Sequence, residues 1–283
     1  MPADTPISSR TTFEVWQFLI YDEVLSRAVF DGTYRELAAQ RGYSAEQLAV
    51  LDWFAAQPGM RWNVENLRFR AALETAACLQ IHLPKTARLL TKGDDDWLQD
   101  ICYEYLSFYH WDALGHRRLT ECERFGRYVR ERIMKRRITP AHLDRVLELE
   151  LAVVDVLKQT AGVSPASWPA PPEGDIAHVR PRRGIAQKLL DQPIDLRELM
   201  TLDKPDRVVF QPRAVTWLIH LPKPTERPKM KIISDGAREL LARCTGTRET
   251  KEIASDLERE LELPVEQVTK IVRTWLDEGV LVA

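Results

Sequence analysis

The sequence predicts a mainly α protein that carries a small α+β domain at its C-terminal end. Three observations predict it. Apolar residues recur at three- and four-residue steps through residues 13–160, the period of amphipathic helices. Five prolines (Pro165, Pro169, Pro171, Pro172 and Pro181) then interrupt residues 162–184. After Asp206 the apolar residues become β-branched and aromatic and stand in short runs, as strands require. The predicted organisation is a helical bundle over 1–161, a Pro-rich connector over 162–205 and the α+β domain over 206–283.

In the bundle, Phe13, Trp16, Leu19, Ile20, Val24 and Leu25 share a helical stripe, and Ser44 is an N-cap before Leu48, Leu51, Trp53 and Phe54. A helix over 66–83 is stopped by Pro84, which cannot continue one. Asp94, Asp95 and Asp96 open the next at the positive end of its dipole, and Trp97, Ile101, Tyr105, Phe108 and Tyr109 form its aromatic stripe. Two more helices are expected over 120–137 and over 139–160, the latter opened by Thr139 and Pro140. Trp16, Trp53, Trp62, Trp97 and Trp111 are read mostly as core.

The connector should be an extended, semi-rigid strap, with a short helix over 185–190 and an ambiguous stretch at 196–202. Strands are expected over 207–210, 214–221 and 230–233, and helices over 235–244, 249–262 (capped by Thr247) and 265–278, where Pro264 starts and Gly279 stops the helix. Three strands followed by three helices make a winged-helix-like β3α3 arrangement.

Composition narrows the function classes. The 283 residues are 45% hydrophobic and 29% charged, so core material is ample, and a net charge of −2 supplies no global pull toward nucleic acid or anionic membrane. Cys78, Cys102, Cys122 and Cys244 stand apart without zinc or disulfide spacing. The start lacks an export signal and no stretch is long enough to span a bilayer, so a cytoplasmic protein is expected. Cys78 and His82, at i and i+4, match half of a metal site; a buried thiol beside a histidine explains them more simply. No Gly-rich phosphate loop, GxSxG or paired-histidine motif occurs, so catalysis by this chain is not expected.

The stretch IISDGARELLARCTGTRETKEIASDLERELELPVEQVTKIVRTWLDEGVLV resembles the PqqD-like RiPP recognition element, through Ala237, Leu240, Leu241, Gly246, Thr250, Ile253, Leu257, Leu276, Gly279 and Leu281. The resemblance implies a domain that binds the leader of a ribosomally made precursor peptide as an added strand beside the third strand and against the third helix, a form of edge augmentation. The implied peptide site is Lys229, Met230, Lys231, Ile232 and Ile233 on the strand with Gln267, Lys270, Ile271 and Thr274 on the helix. Ile271 falls beside the core stripe of Val265, Val268, Val272, Trp275 and Leu276; it either lines a groove or widens the core. Lys229 and Lys231 either attract an acidic leader or blunt an open edge.

A winged-helix transcription regulator binding DNA is the alternative. Residues 206–283 hold 13 Lys plus Arg against 13 Asp plus Glu, a balance that favours a peptide over phosphates. The helical half is similar to partner subunits of multinuclear non-haem iron oxidative enzymes of RiPP pathways, of the 3-thiaglutamate and methanobactin type, on Arg68, Arg70, Leu83, Pro84, Thr86, Leu89, Leu90, Trp97, Arg124 and Phe125. This likeness implies a non-catalytic subunit that holds no cofactor, the iron being in the partner enzyme, and that forms a heterodimer with it. Arg68, Arg70, Arg124 and Arg127 are the candidate partner-binding residues, the last two within the basic stretch 124–137.

Overall fold

A computed structural model describes residues 8–92, 94–108, 117–135, 142–201 and 212–283. Among them the chain is mainly helical, with thirteen α-helices and a small three-stranded sheet. It divides into two compact units, residues 1–135 and 136–283.

The first unit holds helices α1 (Ser9–Tyr21), α2 (Glu23–Phe30), α3 (Tyr34–Gln40), α4 (Ala45–Ala56), α5 (Met60–His82), α6 (Pro84–Thr91), α7 (Asp95–Phe108) and α8 (Arg117–Met134). Short polar side chains set several of its helix starts. Ser8 accepts from the Thr11 N–H, Asp22 from Leu25, and Ser44 forms a full capping box with Gln47. Pro84 sits at the first turn of α6, where its missing N–H costs nothing. Asp94 accepts from the Asp96 N–H at 3.0 Å and so caps α7.

Val15, Leu19, Leu25, Val29, Val50, Leu51, Phe54 and Val64 form one core of this unit. Tyr105 packs edge-on against Phe125 and Tyr128 in a second aromatic group, with the Arg132 guanidinium 5.3 Å from the Tyr128 ring centre. The tryptophans depart from expectation. Trp53, Trp62 and Trp97 are each at least half exposed, and on α5 Trp62, Phe69 and Leu73 make an outward stripe at helical spacing. Periodicity locates a stripe but not what covers it. Trp111 and Tyr109 lie outside the described residues.

The second unit begins with α9 (Leu143–Gln159), which the sequence groups with the bundle but which packs on strands of this unit. Thr139 and Pro140, its expected start, lie outside the described residues. The Pro-rich stretch is a strap as expected. Trp168 donates to the Pro222 carbonyl at 2.7 Å, the N–H groups of Lys251, Thr250 and Gly246 bond the Ala177, Val179 and Pro181 carbonyls, and Ile176 enters the core. The strap ends in β1 (Arg182–Arg183), which pairs with β5 (Leu281–Val282).

Residues 187–192 form strand β2 (Gln187–Gln192), not the short helix expected over 185–190. Gln-Lys-Leu-Leu-Asp-Gln has helix-compatible residues, but β2 finds six cross-strand partners on β3 (Val215–His220), and that tertiary pairing overrides local propensity. β4 (Lys229–Ile233) pairs antiparallel with the other side of β3, giving the order β2-β3-β4. The strand expected over 207–210 lies outside the described residues. Every residue of β3 is buried, so its apolar residues do not alternate with exposed polar ones. One sheet face meets α9, where Lys188 pairs with Asp155 and Gln192 donates to Glu148 at 3.0 Å.

The other face presents Leu189, Leu218 and Ile233 to α11 (Asp235–Arg243), α12 (Thr250–Leu261) and α13 (Val265–Asp277) around Leu240, Leu241, Ile253, Leu257, Val272, Trp275 and Leu276. α12 is capped by Glu249 in a box with Glu252, in place of the expected Thr247, whose hydroxyl meets Thr245 instead. The stretch at 196–202 contains the short helix α10 (Arg197–Thr201). No helix among the described residues is long and apolar enough to cross a membrane.

Candidate functional site

The edge of β4 and the adjoining face of α13 form the candidate site. Met230 to Ile233 extend because β-branched and long side chains suit a pleated surface, and Ser234 ends the strand by capping α11, accepting from the Ala237 N–H at 3.3 Å. Register pairs Lys229 with His220, Lys231 with Leu218 and Ile233 with Thr216, so these three β4 residues share the face that looks to α13, while Met230 and Ile232 take the opposite face. The outer edge of β4 pairs with no strand among the described residues.

On α13, Gln267, Ile271, Thr274 and Glu278 follow one another at helical spacing along one side. Ile271 and Ile233 are both half-buried against the same core cluster. Gln267, Lys270 and Thr274 are exposed, and the Thr274 hydroxyl donates to the Lys270 carbonyl at 3.0 Å. Lys231 pairs with Glu278 and sets its ammonium 5.8 Å from the Trp275 ring centre. Lys229 lies 3.7 Å from Glu226. Both lysines therefore have intramolecular acidic partners, and Glu278 and Trp275 enter the site as residues that charge counting alone passed over. The spacing of Glu278, seven residues beyond Ile271, was the available signal.

On the far flank of α13, Arg273 donates to the Pro172 carbonyl at 2.8 Å and to Gly174. A cation that a DNA reader would present to phosphate is thus spent on the strap.

On β3, His220 is 1% exposed and neither ring nitrogen has a partner among the described residues. Burial first, and the Lys231 charge second, push its pKa down to about 4, with Lys229 acting the same way and Glu278 and Glu226 opposing. The unfolded imidazole therefore binds its proton before the folded one does. Stability should be complete above about pH 6.5 and fall by up to about 3 kcal/mol as pH drops from there toward 4. His220→Leu should flatten that segment of a pH series of urea unfolding, and an unaltered slope would show that another group carries it.

In the first unit, Arg70 and Arg127 are exposed on α5 and α8, Arg124 is half-buried, and the Arg68 side chain is only 12% exposed. Arg68 is turned inward, which position in sequence did not reveal. The dispersed cysteines also converge: Cys78 and Cys122 approach to 3.8 Å between sulfurs, and burial pushes the Cys102 thiol up to about 12. The Cys102 thiol is therefore protonated and unreactive. No group of three or more His, Cys, Asp or Glu among the described residues is arranged to hold a metal ion. No protein-family model matches the chain, and no curated protein matches it significantly.

Proposed function

We propose that the protein is a non-catalytic partner subunit that captures the leader of a precursor peptide on the edge of β4, in a winged-helix-like domain, and presents the peptide to a separate iron-dependent modifying enzyme. The observation that carries this reading is the edge of β4, which pairs with no strand among the described residues, with Ile233 and Ile271 both half-buried against the same core. An added strand would gain main-chain hydrogen bonds from the edge and side-chain selection from these isoleucines. The exposed Arg70 and Arg127, with Arg124, are the proposed contacts to the enzyme, in a heterodimer. Tethering raises the concentration of the modified residue near the catalyst, so weak intrinsic affinity for that residue suffices.

The DNA-binding alternative has less support, because Arg273 is engaged by the strap and the remaining exposed face of α13 has Lys270 opposed by Glu266 and Asp277. Where genes for an iron oxidase and a short precursor lie beside its own, co-expression of the three should yield a stable ternary complex. The isolated chain should carry far less than one equivalent of iron or zinc. Failure to form the complex, together with salt-sensitive DNA binding, would replace this reading with the regulator. A full metal equivalent in the isolated chain would replace it with an enzyme.

A further inference from the structure

A second recess belongs wholly to the first unit and uses no residue of β4 or α13. It lies among α2, α5 and α7, has a volume of about 460 Å³, and is lined by Glu23 and Arg27 on α2, Arg61, Glu65 and Arg68 on α5, and Asp100 and Tyr103 on α7. Cavities of this size accommodate ligands of several residues or a drug-sized molecule.

Two of its ion pairs are ordinary helix-surface pairs. Arg27 meets Glu23 at 2.9 Å and Arg61 meets Glu65 at 3.0 Å, both one turn apart. Arg68 is different. Its side chain is 12% exposed, yet its one ion pair among the described residues is a 3.2 Å contact with the Glu23 carboxylate, and it makes no hydrogen bond there. A guanidinium carries five N–H groups, and those of Arg68 that Glu23 leaves unpaired open on the recess. Glu23 is shared, because Arg27 donates to its other oxygen, so two cations divide one anion on this wall. Across the recess Asp100 is exposed and forms no ion pair or hydrogen bond among the described residues. The Tyr103 phenol beside it is raised by burial and so stays a neutral donor.

We propose that this recess binds a zwitterion, its carboxylate on Arg68 and Arg27 and its ammonium on Asp100. The ligand is a free amino acid or a short peptide with both ends charged. A carboxylate would meet the unmet N–H groups of Arg68 in the fork geometry that guanidinium favours. A phosphate is opposed by the three carboxylates of the lining, and a metal cation by its three arginines.

Titration calorimetry on the full-length chain with glycine, triglycine, N-acetyl-triglycine and N-acetyl-triglycine amide tests this. Triglycine or glycine should bind saturably and at least about tenfold more tightly than the doubly blocked peptide. Tighter binding of triglycine identifies a peptide, and equal binding of glycine a free amino acid. Arg68→Gln should weaken binding by about tenfold or more. Asp100→Asn should weaken triglycine while leaving N-acetyl-triglycine unchanged, a split that a merely structural aspartate would not produce. Circular dichroism checks folding, and Arg27→Gln replaces Arg68→Gln if the latter does not fold. Equal affinity for charged and doubly blocked peptides, undiminished binding in the folded arginine variant, or no saturation by about 10 mM would each overturn the proposal.

Discussion

Gly279→Val should unfold or severely loosen the second unit, at a cost of at least about 3 kcal/mol. Gly279 ends α13 with φ at +70°, the left-handed conformation in which a β-branched residue is strained. A Cβ built there would lie 2.6 Å from the Pro222 carbonyl oxygen, the same oxygen that accepts from Trp168 on the strap. Backbone cannot give way as a flexible side chain can, because Gly184 already packs on this turn: a Cβ on Gly184 would stand 2.3 Å from the Gly279 oxygen. Three segments, the strap's end, the β3–β4 connection and the close of α13, thus meet where no side chain fits. Gly174→Ala is the control, since Gly174 has φ +74° but nothing within 4 Å, so the substitution bears only the conformational strain, about 1–2 kcal/mol. Urea unfolding, with hydrogen exchange mapped over residues 142–283, measures both. Equal stability of the two variants would show that the close approach at Pro222 is not a constraint.

Ile233→Asp and Ile271→Asp should each reduce affinity for the precursor peptide by about 100-fold or more, since a carboxylate forced against an apolar ligand side chain costs about 3 kcal/mol. Each isoleucine is half-buried, so the fold should survive, with Leu218, Val272, Trp275 and Leu276 keeping the core. Ile271→Val should bind nearly as well as the natural chain, separating loss of the apolar side chain from general damage. Anisotropy of a labelled precursor peptide reads both variants. Undiminished affinity in the two aspartate variants would remove the β4–α13 site from the proposed function. It would leave the recess among α2, α5 and α7 untouched, because no residue is common to the two.

Much of the chain was legible before its structure. Ser44, Pro84, Asp94, Pro264 and Gly279 act through local backbone chemistry, and each stands where its caps and breaks required. The central strand β3 was legible because its β-branched and aromatic residues, bounded by Pro212 and Pro222, stand in one short run. β2 was not: Gln187 to Gln192 have no strand composition, and only their pairing with β3 makes them extended. The side of α13 that Ile271 shares with Gln267 follows from helical geometry, so half of the candidate site could be drawn from the sequence.

The other half depends on residues far apart in the chain. Lys231 meets Glu278, Arg68 is hidden against α2, Arg273 is claimed by the strap, and Cys78 touches Cys122. Sequence patterns settle what a residue needs locally: a cap, a period, a permitted φ. Which charge is neutralised, which cation is buried and which edge stays open are set by long-range packing, whose partners have no fixed separation along the chain.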